Sequence, residues 1–295
     1  MPSAVSPAVS SRTGFGIGMM LLGMVGMVAM DACAKWLSGA YPINQIVFFR
    51  MAFGLLPALV LVWAEGGWPS LRSGNLKMQA LRALAGAGAI FAFFTSLRYL
   101  GLAEATAIAF VAPLVVTALS VPLLGESVGW RRWTAVTVGF VGAMIILRPG
   151  SEAFQWAAIL PLAAGVCYAL ALITTRVLAR TDANAAIVFW NALIIAVAAG
   201  LSLPFAWVTP SWGDLGLFAL MGLLGGVSIY WITLAFRNAP AAVLAPFDYS
   251  ALLWSTLIGW LIWRELPDAW VWAGAVLLIG SGLYVLYRET RAKTA

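Results

Sequence analysis

Ten apolar stretches, most close to the roughly 20 residues that a helix needs to cross a hydrocarbon core about 30 Å thick, take up most of this chain. In lipid a segment must satisfy its own backbone hydrogen bonds. The runs are continuous, without the apolar/polar alternation of a barrel strand, so they select helices and reject a β-barrel. They read as Phe15–Trp36, Asn44–Trp63, Met78–Leu97, Leu102–Leu124 and Trp133–Leu147, then Phe154–Val177, Ala183–Val208, Leu215–Phe236, Ala239–Trp263 and Ala269–Tyr287. With 63% apolar and 9% charged residues, the chain lies far from soluble domains, which are about half apolar and a quarter charged. The fold class expected is an all-α membrane protein with ten transmembrane helices. Residues 1–14 read as a short disordered tail and 289–295 as a second, cytoplasmic tail. Ala32-Cys33-Ala34 has the form of a signal-peptidase site, but the run before it is longer than a signal segment, so an uncleaved span is expected.

The chain also contains itself twice. Ile46-Val47-Phe48-Phe49-Arg50 returns 141 residues later as Ile187-Val188-Phe189-Trp190-Asn191. At an offset of 139, Gly86 falls on Gly225, Arg98 on Arg237, Glu126 on Glu265 and Trp133 on Trp272. Two units follow, 15–148 and 154–288, each with five spans. An odd number of spans inserts the second unit upside down relative to the first, and inverted repeats are a hallmark of secondary transporters, whose site lies near the midplane between the halves.

Charge sets the orientation. With the N-terminus in the cytoplasm, twelve cations fall on the inner side and four (Lys35, Arg98, Arg148 and Arg264) on the outer, with Arg50 inside a span. That bias fits a multi-pass protein of the bacterial inner membrane with both termini cytoplasmic. The net charge of +6 is accounted for by these span ends, so no nucleic-acid partner is implied. Cys33 and Cys167 sit singly in apolar runs and the chain has no histidine, which leaves no metal or cofactor site in view. The same scarcity of nucleophile, base and paired acids argues against an enzyme, and no G-x-x-x-x-G-K-[ST] string for nucleotide binding occurs.

Ionisable groups within spans are the natural site candidates, because each costs several kcal/mol unless paired or wet. Asp31 and Lys35 share a helix face, and Arg50 enters the membrane about as deep as Asp31, roughly 10 Å from the outer end at 1.5 Å per residue. A cluster of Asp31, Lys35 and Arg50 in the outer half is expected, either as a neutral clamp or as a carboxylate-binding group. Asp248 and Tyr249 lie near mid-bilayer after Pro246, where a helix is easily interrupted. Asp248 is a candidate for a substrate ammonium or a proton. Tyr168, Trp190 and Tyr230 lie deep enough to line an aromatic cavity, and Tyr99 sits at an outer end where it can gate. Glu126 and Glu265 read as caps of the closing helix of each repeat, Arg98 and Arg237 as interfacial anchors. Small residues in step at Ala83, Gly86, Ala87 and Gly88, and at Gly222, Gly225 and Gly226, let backbones approach closely.

Two stretches carry a family resemblance. Ala103-Glu104-Ala105-Thr106 through Pro113 to Gly125-Glu126, with Leu147-Arg148-Pro149-Gly150 closing the unit, resembles an EamA repeat of the drug/metabolite transporter superfamily. The second copy runs from Asn238-Ala239-Pro240-Ala241 through Asp248-Tyr249 to Arg264-Glu265-Leu266-Pro267. Nearly the whole chain is covered, and within the superfamily it is most similar to exporters of amino acids of the YddG type. The resemblance implies a monomeric secondary transporter in the lipid bilayer that exports small metabolites, amino acids with aromatic or apolar side chains among them, by alternating access. A proton-coupled exporter of drugs or aromatic cations is the alternative.

Overall fold

A computed structural model describes residues 7–125, 128–149 and 155–292, and among these every regular element is helical. The first half contains α1 (Pro7–Ser38), α2 (Ile43–Ala64), α3 (Leu76–Ser96), α4 (Leu102–Ala109), α5 (Ala112–Leu124) and α6 (Trp130–Leu147). The second contains α7 (Ile159–Leu178), α8 (Asn184–Leu201), α9 (Trp212–Asn238), α10 (Ala241–Asp248), α11 (Ser250–Trp263) and α12 (Ala269–Ala292). Helix α1 begins at Pro7, inside the stretch read as a tail; proline suits a first helical position because its missing amide would be unbonded there anyway. The remainder of that tail, residues 1–6, lies outside the described residues, as do 293–295 and Glu126.

Eight segments are long and apolar enough to cross a membrane, with α4 and α5 counting together as Leu102–Leu124. The other two helical columns differ from these. Helix α6 opens on Trp130-Arg131-Arg132, and α10–α11 is divided at Tyr249 into pieces of 8 and 14 residues.

The halves do not form separate bundles. Helix α1 packs along α9, α3 along α7, α2 along α8 and α6 along α12, so the principal contacts run between the halves. Exchanging equivalent helices maps these pairings onto one another. Glycines allow the closest of them. A Cβ on Gly142 would come within 2.8 Å of the Gly274 carbonyl oxygen, so α6 and α12 cross backbone to backbone. Gly222 faces Phe53 and the Arg50 carbonyl, and Gly226 faces Pro57, seating α9 on α2. On the other side of the exchange, Gly86 of α3 lies against the Asn191 amide and Gly88 against Cys167. The small faces read from the sequence are thus helix-crossing surfaces.

Both interrupted columns break in the same way. Helix α4 stops at Ala109 because Pro113 has no amide to offer that carbonyl and its ring crowds it. Leu114 N instead donates to Val111 O at 3.0 Å, a tight turn. In the second half Leu252 N donates to Tyr249 O at 3.1 Å, although Leu252 and not proline follows that break. Phe110 and Tyr249, equivalent at the 139 offset, meet edge to face with centroids 5.0 Å apart. The two breaks therefore touch each other between the halves.

Candidate functional site

Two sets of polar residues lie between the halves, one at an end of the bundle and one near the breaks. At the end that carries Lys35, helix α11 finishes with Arg264 in the left-handed region at φ 59, where its equivalent, Gly125, has φ 68. A side chain there is strained, and the turn it makes delivers Glu265 toward α1. Lys35 Nζ donates to Glu265 Oε1 at 2.7 Å and Oε2 at 2.5 Å, and to the Leu100 carbonyl at 2.9 Å. The ion pair joins α1, the α3–α4 turn and the α11–α12 turn across 230 residues of sequence. Lys35 is buried, with a side-chain exposure of 8% against 37% for Glu265. Arg98 Nη2 donates to the Tyr41 carbonyl at 2.6 Å, and Arg148 pairs with Asp268 at 2.6 Å. Shallow depressions of about 660 and 480 Å³ lie on this end, both lined by Lys35 and Arg98.

Several expectations change here. Lys35 does not join Asp31 and Arg50, because Glu265 and the Leu100 carbonyl satisfy it one helical turn further out. Glu265 does not cap α12; Asp268 does, its Oδ1 accepting from Val271 N at 2.9 Å, three residues on as a cap requires. Asp31 and Arg50 interact only through space, with no ion pair between them among the described residues. Arg50 Nε donates to Met30 Sδ at 3.1 Å, its guanidinium lies 5.5 Å from the Phe94 ring centre, and its Nη1 is buried without a partner. Tyr99 is half-exposed at the same end and packs on Trp156 at 5.1 Å.

Near the breaks the arrangement is open. Helix α7 exposes Ile159, Ala163 and Val166 on one face. At about 100° per residue, Tyr168 falls about 180° from Ile159 and yet is 53% exposed, so it opens on a side of α7 away from that outward face. Gly165, one turn before it, lies against Val111 and the Ala109 carbonyl, which puts Tyr168 level with the first break. Asp248 ends α10 at the second break and turns away from exposed Val243 and Pro246 of its own helix. It makes no hydrogen bond or ion pair with any described residue, and its charge reaches the Tyr168 and Tyr249 hydroxyls. Tyr249 itself is wedged between Phe110 and Gly282 of α12 and serves the joint. Trp190 is an anchor near the membrane edge, its Nε1 donating to the Leu71 carbonyl at 2.9 Å. Tyr230 shares the exposed face of α9 with Leu223.

One residue of this region was counted in the sequence only as a topological charge. Arg82 of α3 donates through Nε to Thr175 Oγ1 at 2.6 Å and through Nη1 to the Ile187 carbonyl at 3.2 Å. Its signal was available: an arginine inside an apolar run at a small-residue face. The opposite end of the bundle, near Arg82, is tied by Asp182, which accepts from the Ser73 hydroxyl, from Gly74 N at 3.1 Å, from Gln79 Nε2 at 2.9 Å and from Thr181. Burial would raise this carboxyl, but the four donors outweigh it and hold Asp182 below the usual carboxylate range.

Paired halves, eight segments able to cross a membrane and interrupted helices that meet between the halves describe a multi-span membrane protein. The chain belongs to the EamA-like transporter family, whose model matches residues 14–148 and 155–287. It is 30% identical to a riboflavin transporter of Rhizobium johnstonii, over 98% of this chain and 95% of that one. It is 31% identical to an S-adenosylmethionine uptake transporter of Rickettsia bellii, over 94% and 95%. A pseudopaline exporter of Pseudomonas aeruginosa is 30% identical over 90% and 93%. These names are not those of aromatic amino-acid exporters, so the finer resemblance drawn from the sequence gains no support from them. A crystal structure at 19% identity shares the fold, with a TM-score of 0.65 over 97% of this chain and 99% of that one.

Proposed function

We propose that the chain is an alternating-access carrier that moves small amphoteric metabolites, amino acids and their derivatives, outward across the bacterial inner membrane. The observation that carries this reading is Asp248: a carboxylate without a protein partner, at the meeting of two helix breaks, in a cleft between the halves. A partly buried carboxylate between the halves of a membrane protein is stabilised by a counter-charge, and a substrate ammonium supplies it. Relatives named for S-adenosylmethionine uptake and pseudopaline export support a cargo that carries an amine.

In this reading α6 and the interrupted α10–α11 column complete ten spans in two inverted repeats, and a single chain forms the whole cleft. The twelve-to-four cation bias puts the Lys35 end outside and the Asp182 end in the cytoplasm. The end ties at Lys35 then close the outer face while Tyr168 opens toward the inner one. A second reading, proton-coupled export of aromatic cations, draws on the same acid beside Tyr168.

Efflux from proteoliposomes loaded with labelled phenylalanine, tryptophan, threonine, S-adenosylmethionine or an aromatic monocation decides between them. Amphoteric cargo leaving the vesicles, with Asp248→Asn slowing it about tenfold or more, is the expected result. Movement of monocations alone, abolished when a pH gradient is collapsed, selects the second reading. No movement of any solute sinks both.

A further inference from the structure

Arg82 is a cation whose neighbours orient it without neutralising it. Its Nε and Nη1 are held by a hydroxyl and a carbonyl, on α7 and α8, and its Nη2 has no hydrogen-bond partner among the described residues. No carboxylate pairs with it there. Neutral acceptors fix the plane of a guanidinium but leave its full charge uncompensated, and in a low-dielectric setting that charge attracts an anion, which the fork binds through paired hydrogen bonds.

Its placement ties it to the cleft. Thr175, which it grips, follows Tyr168 by two turns on the same face of α7, about 10 Å along the axis. Arg82 also turns away from exposed Leu81 and Leu84 on its own helix, about 160° from the latter. The charges of Arg82 and Asp248 both reach Tyr168. The exchange of halves gives a control within the molecule. Arg82 maps to Met221, Tyr168 to Met27 and Asp248 to Ala109, a wholly uncharged set in which Met221 is fully buried. One side of the pseudo-symmetric pair is thus a packed apolar contact, and the other carries a cation, a half-exposed tyrosine and an acid.

We propose that Arg82 is the specificity-determining residue that holds the carboxylate of the cargo, so that the cleft takes an amphoteric molecule bound at both ends, its ammonium at Asp248. The proposal rests on the carrier reading above. It distinguishes a zwitterion from the same molecule stripped of its carboxylate, a choice that Asp248 alone does not make.

The test is competition and efflux in proteoliposomes with matched pairs: phenylalanine and phenethylamine, tryptophan and tryptamine, S-adenosylmethionine and its decarboxylated form. Wild type is expected to prefer at least one zwitterion over its amine by about ten- to a hundredfold, the range of a hydrogen-bonded charge pair. Arg82→Gln is expected to erase that preference while amine transport persists, and Arg82→Lys to restore part of it. If amines move as well as zwitterions in wild type, the proposal fails and the carrier reading stands. If Arg82→Gln lowers both members of each pair alike, Arg82 is a clamp among three helices and the proposal also fails. If no pair moves at all, the carrier reading falls with it.

Discussion

The two ends of the bundle are made from equivalent loops, and they differ in what is fastened. Tyr41 and Asp182 occupy the same place in the two halves at the 141 offset. At one end the Tyr41 hydroxyl donates to Asp214 at 2.7 Å and accepts from Ser211 N; at the other Asp182 receives Ser73 and Gly74. These ties match and belong to the frame. The Lys35 end adds, beside the Arg148–Asp268 pair, fastenings of Lys35 to Glu265 and of Arg98 to the Tyr41 carbonyl. Their counterparts Arg176 and Arg237 are exposed and pair with no described residue, while Glu126, the counterpart of Glu265, lies outside the described residues. Helix α2 also lies flush on α9, whereas α8 packs less extensively on α3. Equivalent parts in unequal states are what a carrier with alternating access requires: one fold, with the pairing shifted from end to end.

The comparison breaks most easily at the buried ion pair. Glu265→Gln leaves Lys35 charged and buried with only neutral acceptors, an amide oxygen and the Leu100 carbonyl. Because Glu265 is partly exposed and water replaces some of it, the closed end should lose about 2 kcal/mol, roughly thirtyfold in population. Cys33 lies on α1 two residues before Lys35 and is a free thiol. In a Cys167→Ala background its alkylation by an impermeant maleimide should accelerate by a comparable factor, and an unchanged rate would show that the pair is not a latch.

Next comes the matched tie. Asp182→Asn weakens four hydrogen bonds at the other end and should lower unfolding stability by about 1–2 kcal/mol in detergent melts. A carboxyl with a lowered folded pKa contributes stability that is present above its unfolded value, about 3.9, and lost as pH falls through the lower folded one. The gap between wild type and Asp182→Asn should therefore stay constant from about pH 8 to 5 and narrow only below about pH 4. A gap that closes near neutrality would contradict the hydrogen-bond geometry.

The smallest effect sharpens the asymmetry directly. Arg98→Ala removes one charged donor to a carbonyl and should cost about 1 kcal/mol and raise Cys33 labelling severalfold. Arg237→Ala, its exposed counterpart, should change neither. Equal effects of the two would mean that the ends are fastened alike.

How far the sequence led depended on range. Helices, the doubled architecture and an interruption near Asp248 were legible, because apolar length, the 141 and 139 offsets and Pro246 are local or periodic signals; the break ahead of Pro113 was not read. Nor was the face that each charge adopts. Lys35 reads naturally with Asp31 four residues away, yet its partner lies 230 residues on, delivered by a left-handed turn at Arg264 that no propensity would assign to arginine. Arg82 looked like an edge cation because hydropathy gives depth and no azimuth; only the packing of α3 on α7 turns it inward. Trp190 and Tyr230 failed as cavity residues for the same reason. Trp190 turns to a loop carbonyl, and Tyr230 lies on the exposed face of α9.

Phe110 against Tyr249 places an aromatic ring opposite its own counterpart on the exchange axis. Two identical, separate polypeptides docked across such an axis would have to present the same residue from both sides. Ring on ring is self-complementary and survives that condition. A carboxylate one residue away does not, since its copy would face it with like charge and neither could stay ionised without cost. Here Asp248 is opposed by Ala109. Covalent tandem linkage therefore frees the positions next to the axis from self-recognition, and a lone acid at the heart of the molecule is a privilege of the single chain.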